Sequence, residues 1–465
     1  MAKRYDELIP ALKRMLPSGR LGRLARSTGF IQRLRAVRAG VFVWAAVLSR
    51  FSGKTPGFAE AQHWYERLGG AKVWPRPFQK RFLRRGTVGL FGTAFDDAVR
   101  PWRRTEPRKH RLARFFPDVI AWDSSVVGLD AALRSWFKGV FGFKAALKVC
   151  LAVSVFGRLP LAAKVVASNI HDMCLFPDLS NFRSGTLWLF DKGFVAYNWL
   201  HEIVRAKQNF LCPMRFDGNP LVVGVRRAPA RIRKALKAAP GGIPLRDLLP
   251  AKKRIGNALD LDVVVRSKRA KPRVSVRLRL VIVPGPKGKQ RPYLTTLSPS
   301  PWTAALIREL YRLRWQVELV FKELKQHLAL ESIPTRDPEA AQAFAWASLI
   351  ALALSRMVTT WLVPAPDLVG LNAKLRPELL TRELRNAVAL LAALLAGALR
   401  DVEGGARTLV LTLWPGAARE EAGREDSLAR LNLLLPLAAE GIADDGRGRG
   451  EVHQEESPAG GRGFH

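Results

Sequence analysis

The spacing of apolar residues changes several times along this chain, and each change marks a boundary. Up to about residue 115, apolar stretches at helical spacing are cut by Gly19, Gly22, Gly29, Gly40, Gly53 and Gly57 in the first half. That predicts short helices separated by turns. Residues 30–51 mix apolar positions with Arg33, Arg35, Arg38 and Arg50; a helix-turn-helix is compatible with this stretch, but no recognition helix stands out. Near residue 118 the pattern shifts to β-branched runs. VIAWDSSVV (119–127) reads as a strand, and ALKVCLAVSVF (146–156) with PLAAKVVASNI (160–170) as an antiparallel pair turning at Gly157 and Pro160. LWLF (187–190) predicts a fourth strand, residues 194–210 a helix, and FLCPM (210–214) a fifth strand. The fold class is therefore α/β, with parallel pairing in the second half of the domain.

The next segment breaks this scheme. Residues 226–254 are rich in Ala, Pro, Gly, Lys and Arg. In RVSVRLRLVIV (273–283), Val274, Val276, Leu278, Leu280 and Ile282 share one face, and Arg273, Ser275, Arg277 and Arg279 the other. That is a half-buried strand with a basic outer face, inside a small β-rich insertion. After Ser300-Pro301 a long helix is predicted over 303–330, with further helices over 339–362 and 377–400. The run 340–355 has no formal charge, but it is short for a membrane span and meets Arg356 and then Pro364, so it reads as a buried helix. From about residue 438 the chain is Gly-rich, charged and poor in large apolar residues, which predicts a disordered tail. The resulting division is a helical segment (1–115), the first part of the α/β domain (116–215), the insertion (216–300), the completion of that domain (301–362), C-terminal helices (363–437) and the tail (438–465).

Charge narrows the choice of partner. The 465 residues carry 76 Lys+Arg against 39 Asp+Glu, a net +37, with 48% hydrophobic residues. The apolar content excludes a wholly disordered chain, and the charge points to a polyanion, nucleic acid before an anionic membrane surface. Residues 1–117 hold 26 Lys+Arg and 7 Asp+Glu, and residues 215–291 hold 21 and 4, which leaves the rest nearly neutral. Two concentrated basic segments suit the gripping of a phosphate backbone, where each neutralised phosphate releases counterions. The alternative is two solvated basic faces. The cysteines, Cys150, Cys174 and Cys212, are odd in number and far apart, which excludes a zinc ribbon or disulfide scaffold and suggests a reducing cytosol. The opening MAKRYDELIPALKRML has no long apolar stretch, so no signal peptide is expected.

The candidate chemistry lies on the long helix. At about 100° per residue, Tyr311, Arg314, Glu318 and Lys325 share an arc of roughly 60° at the edge of the apolar face. Glu309, Glu323 and Glu331 point elsewhere on the same wheel, so Glu318 is the one carboxylate of the row. An Arg314–Glu318 ion pair on a solvated face would also produce this spacing, but leaves the tyrosine and the second cation unexplained. A carboxylate among cations suits a metal-bound phosphate: Glu holds the metal, Arg and Lys the phosphate oxygens, and Tyr packs against sugar or base. Holding two hard divalent cations requires further oxygen ligands. Asp123 and Asp191, each at a strand bordered by apolar residues, are the candidates. His171, Asp172 and His327 read as structural.

These residues resemble a known family. Tyr311-x2-Arg314-x3-Glu318-x6-Lys325 is similar to the Y-(2)-R-(3)-E-(6)-K signature of bacterial DDE transposases of the insertion sequence 4 family. Asp123-Ser124-Ser125 resembles that family's first Asp motif and Asp191-Lys192-Gly193-Phe194 its second, D-x-G-[FY]. The resemblance covers roughly residues 110–360. It implies a ribonuclease-H-like catalytic domain with a mainly β insertion, flanked by a helical DNA-binding N-terminal domain and C-terminal helices. Asp123, Asp191 and Glu318 would hold two Mg²⁺ ions (Mn²⁺ as substitute), and Tyr311, Arg314 and Lys325 would contact DNA. Arg273, Arg277 and Arg279 are further DNA-contact candidates from their strand face. The implied reaction is cut-and-paste transposition by two-metal phosphoryl transfer, on double-stranded DNA with terminal inverted repeats and on target DNA. The implied setting is a homodimeric synaptic complex in the bacterial cytoplasm, at the nucleoid, with no membrane. In some relatives a Trp holds a flipped base during hairpin formation; Trp302 is a candidate position, with no role assigned. The competing expectation is a non-catalytic basic DNA-binding protein or an inactive transposase relic.

Overall fold

The structure is a computed structural model that describes residues 5–32, 37–52, 56–104, 110–214, 218–249, 257–267, 274–285, 290–362, 376–417, 431, 434–435 and 452–453. The chain divides into two compact units, Met1–Thr105, Asp123–His171 and Gln316–Arg424 forming one, and Glu106–Trp122, Asp172–Trp315 and Glu425–His465 the other.

The first unit is mainly helical. Helices Leu8–Met15, Ser18–Ser27, Ala39–Ser49, Phe58–Arg67, Pro75–Phe82 and Gly86–Val99 realise the short helices expected from the glycine-punctuated pattern. They do not form a body of their own: they share a core with Pro338–Leu362, which packs against Ala39–Ser49 and Gly86–Val99. Aromatic rings fill the junction, with Phe42 and Phe82 centroids 4.6 Å apart and Phe82 stacked on Phe344 at 4.9 Å. Pro338–Leu362 is long and apolar enough to cross a membrane, but 78% of its apolar window is buried in protein. Burial on all sides accounts for a helix without a polar stripe. Pro377–Ala396 and Val402–Ala417 complete the C-terminal helices. The strands of this unit are β2 (Ala145–Ser154) and β3 (Leu159–Ala167), antiparallel as expected, with β2 next to the second part of β1 (Val119–Leu129).

The second unit is built on a sheet. The first four residues of β1 pair in parallel with β4 (Leu187–Phe190), and β4 in parallel with β5 (Asn209–Pro213). The helix Tyr197–Arg205 connects β4 to β5. The parallel strands joined by a helix are the α/β arrangement expected from the sequence. The insertion supplies β6 (Leu221–Arg227), β7 (Ile243–Pro244), β8 (Leu259–Arg266), β9 (Ser275–Pro284) and β10 (Gln290–Thr295). It extends the sheet, because β10 pairs antiparallel with β5 and the order continues β9, β8, β6, β7. The tail expected to be disordered lies outside the described residues except for Val452–His453, which pairs antiparallel with Ser275–Val276.

Two expectations need correction. The helix over 303–330 is two helices, Ala304–Arg312 and Trp315–His327. At the break the Leu313 and Arg314 N–H groups donate to the carbonyls three residues back, at 3.1 Å each. The tighter turn disrupts a continuous 100° wheel across that point. The basic outer face of β9 is also thinner than alternation suggests. Arg277 is exposed, but Arg279 is buried, with a bidentate grip on Asp260 at 2.9 and 2.7 Å. Its Nη1 also donates to the carbonyls of Leu297 and Ser298. Strand β9 is covered on both sides beyond Arg277, so Arg279 is a structural cation rather than an open DNA contact. Arg273 lies outside the described residues.

Candidate active site

Strand β1 begins with Val119, Ile120, Ala121 and Trp122, all fully buried, and is half-buried over residues 123–126. Strand β4 is buried throughout and ends at Phe190, after which Asp191 leads into a single turn, Lys192–Phe194. The last parallel pair in register is Trp122 with Phe190. The residue after each of these partners is an aspartate: Asp123 continues β1, and Asp191 follows the end of β4.

In the first unit, Asp123, Ser124, Ser125, Glu318, Lys325 and Glu331 line one cleft of about 400 Å³, with Phe321 at its wall. Glu318 lies in the first turn of Trp315–His327, where the helix dipole favours a negative charge. The opposite face of that helix is held by a buried ion pair. Arg356, fully buried, donates from both Nη atoms to the two oxygens of Glu323, at 2.9 and 2.5 Å, and from Nε to the carbonyl of Arg158. Arg158, at the turn between β2 and β3, also donates to Gln316 at 2.7 Å, two residues before Glu318. Glu323 therefore points away from the cleft, as expected.

Glu331 was expected to point away as well, and the structure corrects this. The helix ends at His327; Ala329 takes a left-handed φ of 51°, and the Leu330 N–H closes onto the Leu324 carbonyl at 3.1 Å. The turn carries Glu331 back to the cleft, where it meets Lys325 Nζ at 2.9 Å. Lys325 also donates to the carbonyl of Val126 in β1, at 3.4 Å. Nothing in the sequence signals this turn, because alanine has no preference for a left-handed backbone. A second residue missed by sequence reasoning holds the same turn in place. Arg50, fully buried, donates to the carbonyls of Ala329, Ser332 (3.0 Å) and Pro56 (2.9 Å) and to the Ser348 hydroxyl (3.1 Å). Burial pushes its guanidinium down to about 9, which leaves it charged at neutral pH.

The second unit holds Asp191, Tyr311 and Arg314. The Arg314 guanidinium lies 5.9 Å from the Tyr311 ring centroid, and the Tyr293 ring packs against the same ring at 5.1 Å. Burial pushes the Tyr311 phenol far up; Arg314 opposes this, and the charges of Asp191 and Cys212 add to it. Burial, then Asp191, likewise raises the Cys212 thiol. Tyr311 is therefore a neutral hydrogen-bond donor at every physiological pH. Trp302 is buried, stacked on Phe116 at 5.1 Å and edge-on to Phe115 at 5.2 Å, so it is core rather than a base platform.

Among the described residues no three His, Cys, Asp or Glu side chains stand close enough together to hold one metal ion. The donor set of the cleft still fits a hard divalent cation: its candidate ligands are carboxylates and hydroxyls, without thiolate or imidazole.

Residues 114–354, just over half of the chain, match the transposase DDE domain family. The y4zB protein of Sinorhizobium fredii, a transposase by name, is 28% identical over 199 residues, 43% of this chain and 49% of that protein. The chain thus spans about half the length of that relative. The transposase for insertion sequence element IS1151 of Clostridium perfringens is 21% identical over 395 residues, 77% of this chain and 81% of the relative. A solved synaptic complex of piggyBac transposase with hairpin DNA aligns with TM-score 0.42 and 10% identity, over 90% of this chain and 87% of that one.

Proposed function

The chain belongs to the family of transposase DDE domains, and from that membership we propose that it is an insertion-sequence transposase of the insertion sequence 4 type. It cuts DNA at the inverted repeats of its element and joins the freed 3′-OH to target DNA. Domains of this family work with divalent metal ions; on this reading two Mg²⁺, replaceable by Mn²⁺, are held by Asp123, Asp191 and Glu318. The supporting observation is the cleft that Asp123 and Glu318 line together with Lys325. The matched register that puts Asp191 after Phe190 as Asp123 comes after Trp122 supports the third member.

When bound, the ions lower the pKa of an attacking water or 3′-OH and offset charge on the leaving oxygen. The protein's own groups bind and orient. Lys325 exchanges Glu331 for a phosphate oxygen of the cut strand. Tyr311 donates a hydrogen bond from its phenol to DNA near the cleaved end, and Arg314 pairs with a backbone phosphate. Arg277 and the two basic segments grip the flanking duplex through phosphate contacts. The protein works as a homodimer on paired ends, in the cytoplasm at the nucleoid, without a membrane.

The test is nicking of a plasmid that carries the DNA flanking this reading frame. Asp123→Ala, Asp191→Ala and Glu318→Ala each abolish Mg²⁺-dependent nicking while binding to the same DNA persists. Nicking that survives in any of these purified variants overturns the assignment of that residue. A wild-type protein that binds the ends and never cuts, with Mg²⁺ or Mn²⁺, indicates a DNA-binding protein or a relic instead.

A further inference from the structure

The hairpin that joins β1 to β2 has a composition the cleavage chemistry does not use. Residues 131–144 hold Arg134, Lys138 and Lys144 and no acidic residue. Leu133 and Phe137 are buried and anchor the hairpin, and Lys138 bridges to Ala145 across it. The Phe143 N–H donates to the Val140 carbonyl at 3.2 Å, closing a four-residue turn. Both central residues of that turn have positive φ, Phe141 at 53° and Gly142 at 86°. Such turns favour Gly or Asn at both places, and a bulky side chain is disfavoured at the first. Phe141 nonetheless occupies it, 87% exposed, with Trp136 at 66% and Phe143 at 48% exposure on the same loop.

Folding accounts for Leu133 and Phe137 but not for the exposed rings of Phe141 and Trp136. Exposed aromatic rings add no core, and glycine would fit the tip with less strain. Aromatic faces surrounded by cations, with no acid among them, match the chemistry of unpaired bases along a phosphate backbone. We propose that this loop is a DNA-binding element that takes unpaired bases. Phe141 and Trp136 stack on bases, and Arg134, Lys138 and Lys144 contact the adjoining phosphates. The inference rests on the reading of the chain as a DNA-cutting transposase. It also gives a position. The loop follows Leu129, and Asp123 lies six residues back on the same strand. At about 3.3 Å per residue that is roughly 20 Å, or about six base-pair steps. The loop therefore meets DNA away from the cut bond.

The experiment measures binding of the full-length chain, without divalent metal, to a duplex with a short bubble of unpaired bases carrying 2-aminopurine. The same duplex fully paired is the reference. The wild type prefers the bubble by about ten-fold and quenches or shifts the 2-aminopurine signal. Trp136→Ala and Phe141→Gly each remove most of that preference and leave binding of the paired duplex within about two-fold, because the phosphate contacts remain. Phe141→Gly relaxes the turn, so a melting temperature no lower than wild type shows that its loss is not a folding failure. Lys138→Ala with Lys144→Ala weakens binding to both probes and flattens the salt dependence. The proposal is overturned if the wild type shows no bubble preference or if the preference survives in the Trp136→Ala/Phe141→Gly double variant. It is equally overturned if the aromatic residues are needed for binding anionic lipid vesicles and not DNA. With no metal present, these outcomes are independent of whether Asp123→Ala abolishes nicking.

Discussion

Lys325 Nζ stands 2.9 Å from the carboxylate of Glu331. A cation of the row expected beside Glu318 is therefore already held by an acid that follows the helix presenting it. Glu331→Gln releases that ammonium to DNA. The expected result is binding to duplex DNA a few-fold tighter at low salt, with a salt slope steeper by about one phosphate contact. Titration of affinity against KCl concentration checks it; an unchanged slope means Lys325 does not reach a phosphate.

The Glu323–Arg356 pair is fully buried. Arg356→Met strands the Glu323 carboxylate in the core and is expected to cost about 3–5 kcal/mol. Glu323→Leu combined with Arg356→Met removes both charges and costs less than the single change. Urea unfolding of the two variants decides this. A double variant as unstable as the single would mean the pair contributes more than mutual neutralisation.

Arg50 donates to three backbone carbonyls and one hydroxyl around the turn that carries Glu331. Arg50→Met leaves those buried acceptors without donors and is expected to lower stability by about 2–4 kcal/mol. It also loosens the turn, so limited proteolysis or hydrogen exchange across Ala329–Ser332 increases more than in Pro338–Leu362.

Sequence periodicity made the strands legible because each is a short apolar run with a turn residue at its end. LWLF forms a strand over the residues expected, 187–190, and the β2–β3 pair forms close to its expected span. The acids that follow an apolar, aromatic-ended stretch, Trp122-Asp123 within β1 and Phe190-Asp191 at the end of β4, were legible for the same reason. Tertiary choices were not. Arg279 looked like a surface residue by alternation, but Asp260, remote in sequence, buries it. Glu331 was misplaced because a helical wheel cannot register where the helix stops, and Ala329 gives no stop signal. Arg50 looked like one more cation in a basic segment, because two of its three carbonyl acceptors, on Ala329 and Ser332, lie far along the chain.

Burial lowers the His327 pKa, and the nearby Arg385 charge adds to this. Its folded value thus lies below the unfolded value of about 6.5. The unfolded chain holds more protons in the window beneath that value, so stability rises with pH there and falls as pH drops through it. His327→Gln is expected to flatten the stability profile between about pH 7 and pH 5. Melting temperatures of the two proteins across that range check the sign; a steeper profile in the variant would reverse it.

Val119–Trp122 and Leu187–Phe190 run side by side, residue against residue, and each stretch is followed by an acid. Neither can change length alone. A single codon lost from one stretch would slide its aspartate onto the other face of the sheet and bring Ser124 or Lys192 into its place. Insertions and deletions in this gene should therefore be tolerated in the irregular stretch over residues 169–185, long before they are tolerated within either strand.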